Sequence, residues 1–333
     1  MQGDPEIQPR QRRLAEELVE SGFTPPEAPD QWDRLLAEVD YALRPRVHER
    51  RVPTYGAIVD PTTDPADWAE GADLPMTRRT GRAYPLAGAR LFADGMSSWL
   101  VRRSDEVLEL LVFDRPAGSE RELVVLSEVT GGTLVQRHPR GWIRVVGTFG
   151  VLRWDGISWH HEPHLNDWFD AFGGEGGLGG EPVAGSRSPA GDDRILEELL
   201  EFAVHDLGSR NIGALLVYQP DGDDVATFEA RLPTPPPLRI SHPSDLAPLV
   251  HVLGQIDGAV FFDGAGTLRE LGVRLVPTPG AESDVDPYRG MRHTSARRYS
   301  FDDPESTVIV VSEDGPVTVF RNGELIATSR PSR

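Results

Sequence analysis

Apolar residues in the first sixty positions recur at helical intervals. In "QRRLAEELVESGF", Leu14, Leu18 and Val19 share a face and Gly22 follows as a stop. In "DQWDRLLAEVDYAL", Asp30 stands as the cap, Trp32, Leu35, Leu36, Val39 and Leu43 form the stripe, and Pro45 ends the helix. From about residue 84 to 160 the interval falls to two, in "SSWLVRR", "VLELLVF", "RELVVLSE", "WIRVVGTF" and "GVLRWDGISW". Turn signals such as "DRPAGS", "TGG" and "DG" separate these runs. Residues 1–172 therefore predict an α+β domain.

Residues 173–191 break both patterns. Six of the eight residues from Gly173 to Gly180 are glycine, and Ser and Pro follow, so ordering this backbone costs much entropy and it reads as a flexible linker. It holds a formal G-x-G-x-x-G at Gly174, Gly176 and Gly179, but without the preceding strand and following helix that a dinucleotide site needs.

Beyond the linker, helices alternate with near-continuous apolar runs. "DDRILEELLEFAVHDLG" predicts a helix capped at Asp192 or Asp193, with Ile195, Leu199 and Phe202 on one face and Gly208 at its exit. "SDLAPLVHVLGQI" predicts a second, starting near Ser244 or Asp245, and "RHTSARRYS" marks a third helix start. "NIGALLVY", "GAVFF", "LGVRLVP", "STVIVVSE" and "PVTVFRNGEL" read as strands, so residues 192–330 predict an α/β domain with helices covering the sheet. "LVVLSE" and "GVLRWDGIS" early in the chain are faintly echoed by "VIVVSE" and "TVFRNGELI" later, as a degenerate duplication would leave them.

Charge and composition then narrow the chemistry. The net charge of −19, from 53 acidic and 34 basic side chains in 333 residues, argues against a nonspecific nucleic-acid or anionic-membrane surface. A phosphate ligand must meet a local basic cluster or a metal. The absence of cysteine excludes disulfides, thiolate nucleophiles and Cys-based zinc sites. No run approaches the roughly 18 apolar residues of a membrane helix. The start "MQGDPEIQPRQRR" has no secretory apolar core, so a cytoplasmic location is expected. Neither G-x-S-x-G nor a phosphate loop ending in G-K-[ST] is present, which removes hydrolase and P-loop readings.

Two regions could carry chemistry. "WHHEPH" gathers His160, His161 and His164, but no regular spacing aims all three at one point, and a solvated loop is expected. Trp142, Trp154, Trp159 and Trp168 in the same half read as packing residues. The carboxyl-terminal half holds an ordered series: Asp257-Gly258-Ala259 before a strand, "GMRHTSA" from Gly290 to Ala296 at a helix start, and Ser312-Glu313 after a buried strand. Strand ends in such sheets converge on ligand crevices. The series offers carboxylates for a metal or hydroxyl, and a guanidinium and imidazole beside free helix amides for phosphate oxygens. A second Asp-Gly-Ala, opened by Asp263, falls in the turn after the strand.

"IDGAVFFDGAGTLRELGVRLVP", "GMRHTSARRYS" and "TVIVVSEDGPVTVFRNGEL", in this order, resemble the diadenylate cyclase (DAC) domain family, as in the DNA-integrity scanning protein, over residues 195–328. The resemblance implies a central mixed sheet flanked by helices, and condensation of two ATP into cyclic di-AMP and two pyrophosphates with Mg2+ or Mn2+. It implies that Asp257 binds metal and activates the ribose 3′-hydroxyl, and that Gly258 and Ala259 line the nucleotide pocket. Arg292 and His293 would grip phosphate, Ser312 and Glu313 would contact phosphate and metal, and Gly272 and Leu275 would border the adenine. The family's Arg-His-Arg reads Arg292-His293-Thr294 here, so at Thr294 a hydroxyl that can still bind a phosphate oxygen of the nucleotide replaces one cation, with Arg297 or Arg298 as compensating candidates. Met291 also stands where many relatives have Thr. The reaction implies self-association, at least a face-to-face dimer. The alternative is a cyclase-like domain that binds ATP or a cyclic dinucleotide as a sensor or scaffold.

Overall fold

The computed structural model describes residues 9–45, 52–80, 85–104, 108–163, 192–220, 228–229, 232–313 and 316–329. The chain divides into two compact units, residues 1–164 and 165–333. The expected linker at 173–191, with its three spaced glycines, lies outside the described residues, as do His164 and Trp168.

The amino-terminal unit opens with α1 (Pro9–Glu20) and α2 (Pro29–Leu43). Ala28 caps α2, so Asp30, expected as the cap, instead sits in the first turn and pairs with Arg34 at 2.9 Å. Val19, expected on the buried stripe of α1, is largely exposed. The chain then forms β1 (Tyr55–Val59), α3 (Trp68–Gly71), β2 (Met76–Thr80), α4 (Leu86–Ala89), β3 (Ser98–Arg102) and β4 (Leu108–Phe113). After α5 (Glu120–Thr130) come β5 (Thr133–Arg137), β6 (Ile143–Gly147), β7 (Gly150–Trp154) and β8 (Trp159–Glu162). The helical reading of the first sixty residues thus gives way at Tyr55, and "WHHEPH" begins in a strand rather than a loop.

"RELVVLSE", expected as a strand, belongs to α5. Its start is a capping box: Ser119 Oγ accepts from the Glu122 N–H, and the Glu122 carboxylate accepts the Ser119 N–H at 3.1 Å. Gly131 ends the helix at φ +61°, which a side chain would strain.

The second unit comprises α6 (Asp192–Glu201), which continues as a π-helical stretch over Phe202–Leu207, then β9 (Ala214–Gln219) and β10 (Phe228–Glu229). It continues with α7 (Pro243–Leu253), β11 (Ala259–Asp263), β12 (Leu268–Leu275), α8 (Pro279–Asp284) and α9 (Met291–Asp302). It closes with β13 (Thr307–Val311), β14 (Val317–Arg321) and β15 (Glu324–Thr328).

Apart from the edge strand β8, which has no counterpart, the two sheets repeat one topology. The first runs β2-β4-β3-β1-β5-β6-β7-β8 and the second β10-β12-β11-β9-β13-β14-β15. In each, the central strand pairs parallel with one neighbour (β1 with β3, β9 with β11) and antiparallel with the other (β1 with β5, β9 with β13). All remaining pairs are antiparallel. Face alternation repeats as well: Tyr55, Ala57 and Val59 of β1 pack in the layer under α1 and α2, and Ala214, Leu216 and Tyr218 of β9 in the layer under α6 and α7. The opposite faces hold Ile58 with α5, and Leu215 and Val217 with α9. The echo read between "LVVLSE" and "VIVVSE" is nonetheless coincidental, since one is helix and the other strand. The repeat lies in the fold.

Candidate functional site

Sheet direction gathers the candidate residues of the second unit. β11 runs parallel to β9 and β13 antiparallel, with Leu215 facing both Ala259 and Val310. The start of β9, the start of β11 and the end of β13 therefore lie at one end of the sheet. That end carries Gly213, Asp257-Gly258 and Ser312-Glu313.

Arg292, in the first turn of α9, reaches this end. Its Nη2 lies 3.7 Å from Asp257 Oδ1 and its Nη1 3.3 Å from Glu313 Oε1. Gly213 makes the room: a Cβ there would stand 2.2 Å from Arg292 Nη1 and 2.8 Å from Glu313 Cγ. The Asp257 side chain is 93% exposed, that of Glu313 72%, and Arg292 39%. Among the described residues Arg292 is the sole polar partner of Asp257, so the carboxylate is open to a ligand. Ser312 lies beside Glu313, its N–H bonded to the Pro316 carbonyl at 2.9 Å.

Two glycines shape the turn before β11. Gly258 has φ +105°, and a Cβ on it would meet the Gly272 carbonyl carbon at 2.8 Å and the Val273 oxygen at 2.9 Å. Gly272, at φ +63°, sits where the β11–β12 register slips, a bulge that lets the two backbones touch. Leu232 covers Gly272, with its Cδ1 2.7 Å from where a Cβ would be. Ala259 and Leu275 are buried in the core.

The start of α9 has Gly290 as its cap, without a side chain capping the helix, so the first-turn amides stay available to an anion. His293 packs against Tyr288 and Phe320, with ring centroids at 5.8 and 6.2 Å. Burial holds its pKa below the usual imidazole range, with the Arg289 and Arg292 cations adding to the effect and a hydrogen bond to the Arg289 backbone opposing it.

The Thr294 hydroxyl is engaged by the loop before its own helix. It accepts from the Tyr288 N–H at 3.1 Å and shares its proton between the carbonyls of Tyr288, at 2.8 Å, and Gly290, at 2.9 Å. Arg297 donates to the Gly323 and Asp286 carbonyls, and Arg298 to those of Val285 and Glu282, so both compensating candidates clamp backbone instead. Asp263 caps its own turn, accepting from the Ala265 and Thr267 amides at 3.0 and 2.9 Å. In the first unit, His160 pairs with Asp155 at 2.8 Å and His161 bonds the Phe149 carbonyl at 2.7 Å, so the two imidazoles diverge.

Sequence reasoning missed Gly213 and Leu232. A glycine just before an apolar strand was the available signal for the first; the second is a contact distant in sequence.

The arrangement defines a class: a mixed-sheet α/β domain with an open helix start, an arginine and two carboxylates at its strand ends. Residues 201–325 match the family model described as DAC, DisA bacterial checkpoint controller nucleotide-binding, and the carboxyl-terminal unit is a domain of that family. Residues 12–162 match a second model, described as the probable sensor domain DACNK. Among solved structures, a hypothetical membrane-spanning protein from Bacillus cereus is 23% identical, covering 41% of this chain and 70% of that one, with a TM-score of 0.32. DacA from Staphylococcus aureus, as a double mutant, is 18% identical, covering 42% of this chain and 88% of that one, with a TM-score of 0.29. No curated protein matches the chain. Among the described residues no helix is long and apolar enough to cross a membrane.

Proposed function

We propose that the carboxyl-terminal unit is a diadenylate cyclase. The 3′-hydroxyl oxygen of one ATP bonds to the α-phosphorus of a second, the bond from that phosphorus to the bridging oxygen breaks, and pyrophosphate departs. A reciprocal displacement closes the ring. The observation that carries this reading is the meeting of Asp257, Arg292 and Glu313 at one end of the sheet.

In this reading Asp257 takes the hydroxyl proton, and its exposure leaves it reachable by a ribose. Arg292 and the free amides of α9 hold phosphate oxygens, and Ser312 adds a hydroxyl. His293, neutral at pH 7, bonds the Arg289 backbone through one nitrogen and takes up a proton as the phosphates arrive. Gly258 and Gly272 keep the turn flat beside the base, and Leu232 supplies apolar cover. Ala259 and Leu275, being buried, contribute through their backbones.

Asp257 and Glu313 are hard oxygen donors that touch the same guanidinium, a set that fits Mg2+ or Mn2+, whose shell is usually completed by water and phosphate. Such a cation, when bound, offsets the triphosphate charge. Each hydroxyl must reach the α-phosphate held by the other site, so two copies must face each other. The amino-terminal unit, matching a probable sensor domain, is proposed to regulate the second.

The test is incubation of the purified chain with ATP and Mn2+ or Mg2+, with mass detection of cyclic di-AMP. Equal product from wild type and Asp257→Asn would refute the site assignment. A second reading, a nucleotide sensor without turnover, is favoured by the commitment of the Thr294 hydroxyl to its own loop. Tight ATP binding without product, and product restored by Thr294→Arg, would select it.

A further inference from the structure

Resting on the cyclase reading, the site is short of positive charge. Arg292 is shared between Asp257 and Glu313. Arg297 and Arg298 are tied to backbone carbonyls. A triphosphate entering between the two carboxylates meets one guanidinium that is already neutralised.

Arg289, beside the start of α9, is a further cation. It is exposed and has no carboxylate within ion-pair distance among the described residues. Its guanidinium lies 6.0 Å from the Tyr288 ring centroid, and its charge is felt by His293. Gly290, at φ +84°, turns the chain from Arg289 directly into α9, a conformation that a side chain would strain. Arg289 thus stands one residue before the cap of the helix whose first-turn amides are free.

The loop that carries Arg289 is pinned. The Thr294 hydroxyl accepts from Tyr288 N and donates toward Tyr288 O and Gly290 O, so it holds the backbone on both sides of Arg289.

We propose that Arg289 binds the β- and γ-phosphates of the nucleotide, and that Thr294 is a positioning residue that fixes the Arg289 loop. The hydroxyl at 294 thereby holds in place a cation five residues upstream. A cation that holds the β- and γ-phosphates discriminates triphosphates from monophosphates.

The test is calorimetric titration of the full chain with ATP and with AMP, each with Mn2+. Arg289→Gln is expected to weaken ATP binding about tenfold, the worth of one charge-assisted hydrogen bond, and to leave AMP binding unchanged. Arg289→Lys is expected to recover part of the loss. Thr294→Val is expected to weaken ATP binding severalfold in the wild-type background and not at all in Arg289→Gln, while Thr294→Ser behaves as wild type. Unchanged ATP affinity in Arg289→Gln, or an equal loss for ATP and AMP, overturns the proposal. A Thr294→Val loss that persists without Arg289 overturns the positioning role. If cyclic di-AMP forms and Arg289→Gln binds ATP normally, the inference fails alone. If the wild type binds no ATP, the cyclase reading fails with it.

Discussion

Each unit has an Asp-Gly turn ahead of the strand parallel to its central strand, and the two turns use the same pair of residues oppositely. Asp94 is spent on its own backbone, accepting from the amides of Met96, Ser97 and Ser98 at 2.8, 2.7 and 2.9 Å. Asp257 projects into solvent toward Arg292. The helices before β5 and β13 diverge in the same way. α5 fills its start with a capping box and the buried Glu120, which pairs with Arg153 and lies 3.3 Å from Arg144. α9 starts on a bare glycine followed by Arg292 and His293. One topology therefore yields a closed end in the first unit and an open, cation-bearing end in the second. Chemistry follows from which polar groups are left unsatisfied, and the strand order alone does not decide it.

The sharpest way to break this comparison is to neutralise both aspartates. Asp257→Asn should lower cyclic di-AMP formation by about 10²–10⁴-fold, the usual worth of a general base, and leave the unfolding midpoint in place. Asp94→Asn should leave turnover intact and lower stability by about 1 kcal/mol in a denaturant titration. Equal effects would abolish the distinction. Glu120→Ala, which removes the buried carboxylate shared by Arg144 and Arg153 but leaves Arg153 with Glu162 and Arg144 with Gln136, should cost about 1.5–3 kcal/mol, again with no direct effect on nucleotide binding.

Glycine substitutions give a smaller effect. Gly213→Ala pushes on the exposed side chains of Arg292 and Glu313 and on no backbone, so ATP affinity should fall while stability holds. Gly56→Ala would set a Cβ 2.3 Å from the Gly95 Cα, where backbone must shift, and should cost about 1–3 kcal/mol.

The pH effect is the smallest. His293 is held neutral in the folded state, so its contribution is present above the ordinary imidazole pKa and is lost as pH falls through the lower folded value. Thermal unfolding of wild type and His293→Asn, followed from pH 7 downward, should converge as the histidine protonates. Parallel curves would show that the imidazole feels no such environment.

Much of the second unit was legible in the sequence because its central strands are apolar on both faces and its candidate residues sit at their ends. β9, β11 and β13 announce themselves as "ALLVYQ", "AVFFD" and "TVIVV". α5 was misread because "ELVVL" has a strand's β-branched composition. The Ser119 and Glu122 pair that starts its helix was present, but its spacing of three was outweighed by the apolar run. Arg292, Asp257 and Glu313 could be grouped through the resemblance. The role of Gly213 could not, because it depends on the absence of atoms beside a residue 79 positions away. The engagement of Thr294 was equally hidden, since the type of a hydroxyl residue does not reveal whether its proton is free.

The repeated strand order also bears on how the chain reaches its native state. In each unit the antiparallel meander at the carboxyl-terminal side is local, with β6–β7 and β14–β15 each joined by two residues. The parallel pairs β1–β3 and β9–β11 must close loops of roughly forty residues, and are the slow step that such contacts impose. While β1 and β9 wait, each seeks one parallel and one antiparallel neighbour, and the chain contains two sets of acceptors with the same geometry. What separates them is side-chain content: β5 carries Gln136 and Arg137, whereas β13 is apolar from Val308 to Val311. The two sets of acceptors are therefore alike in backbone geometry and distinct in side-chain polarity.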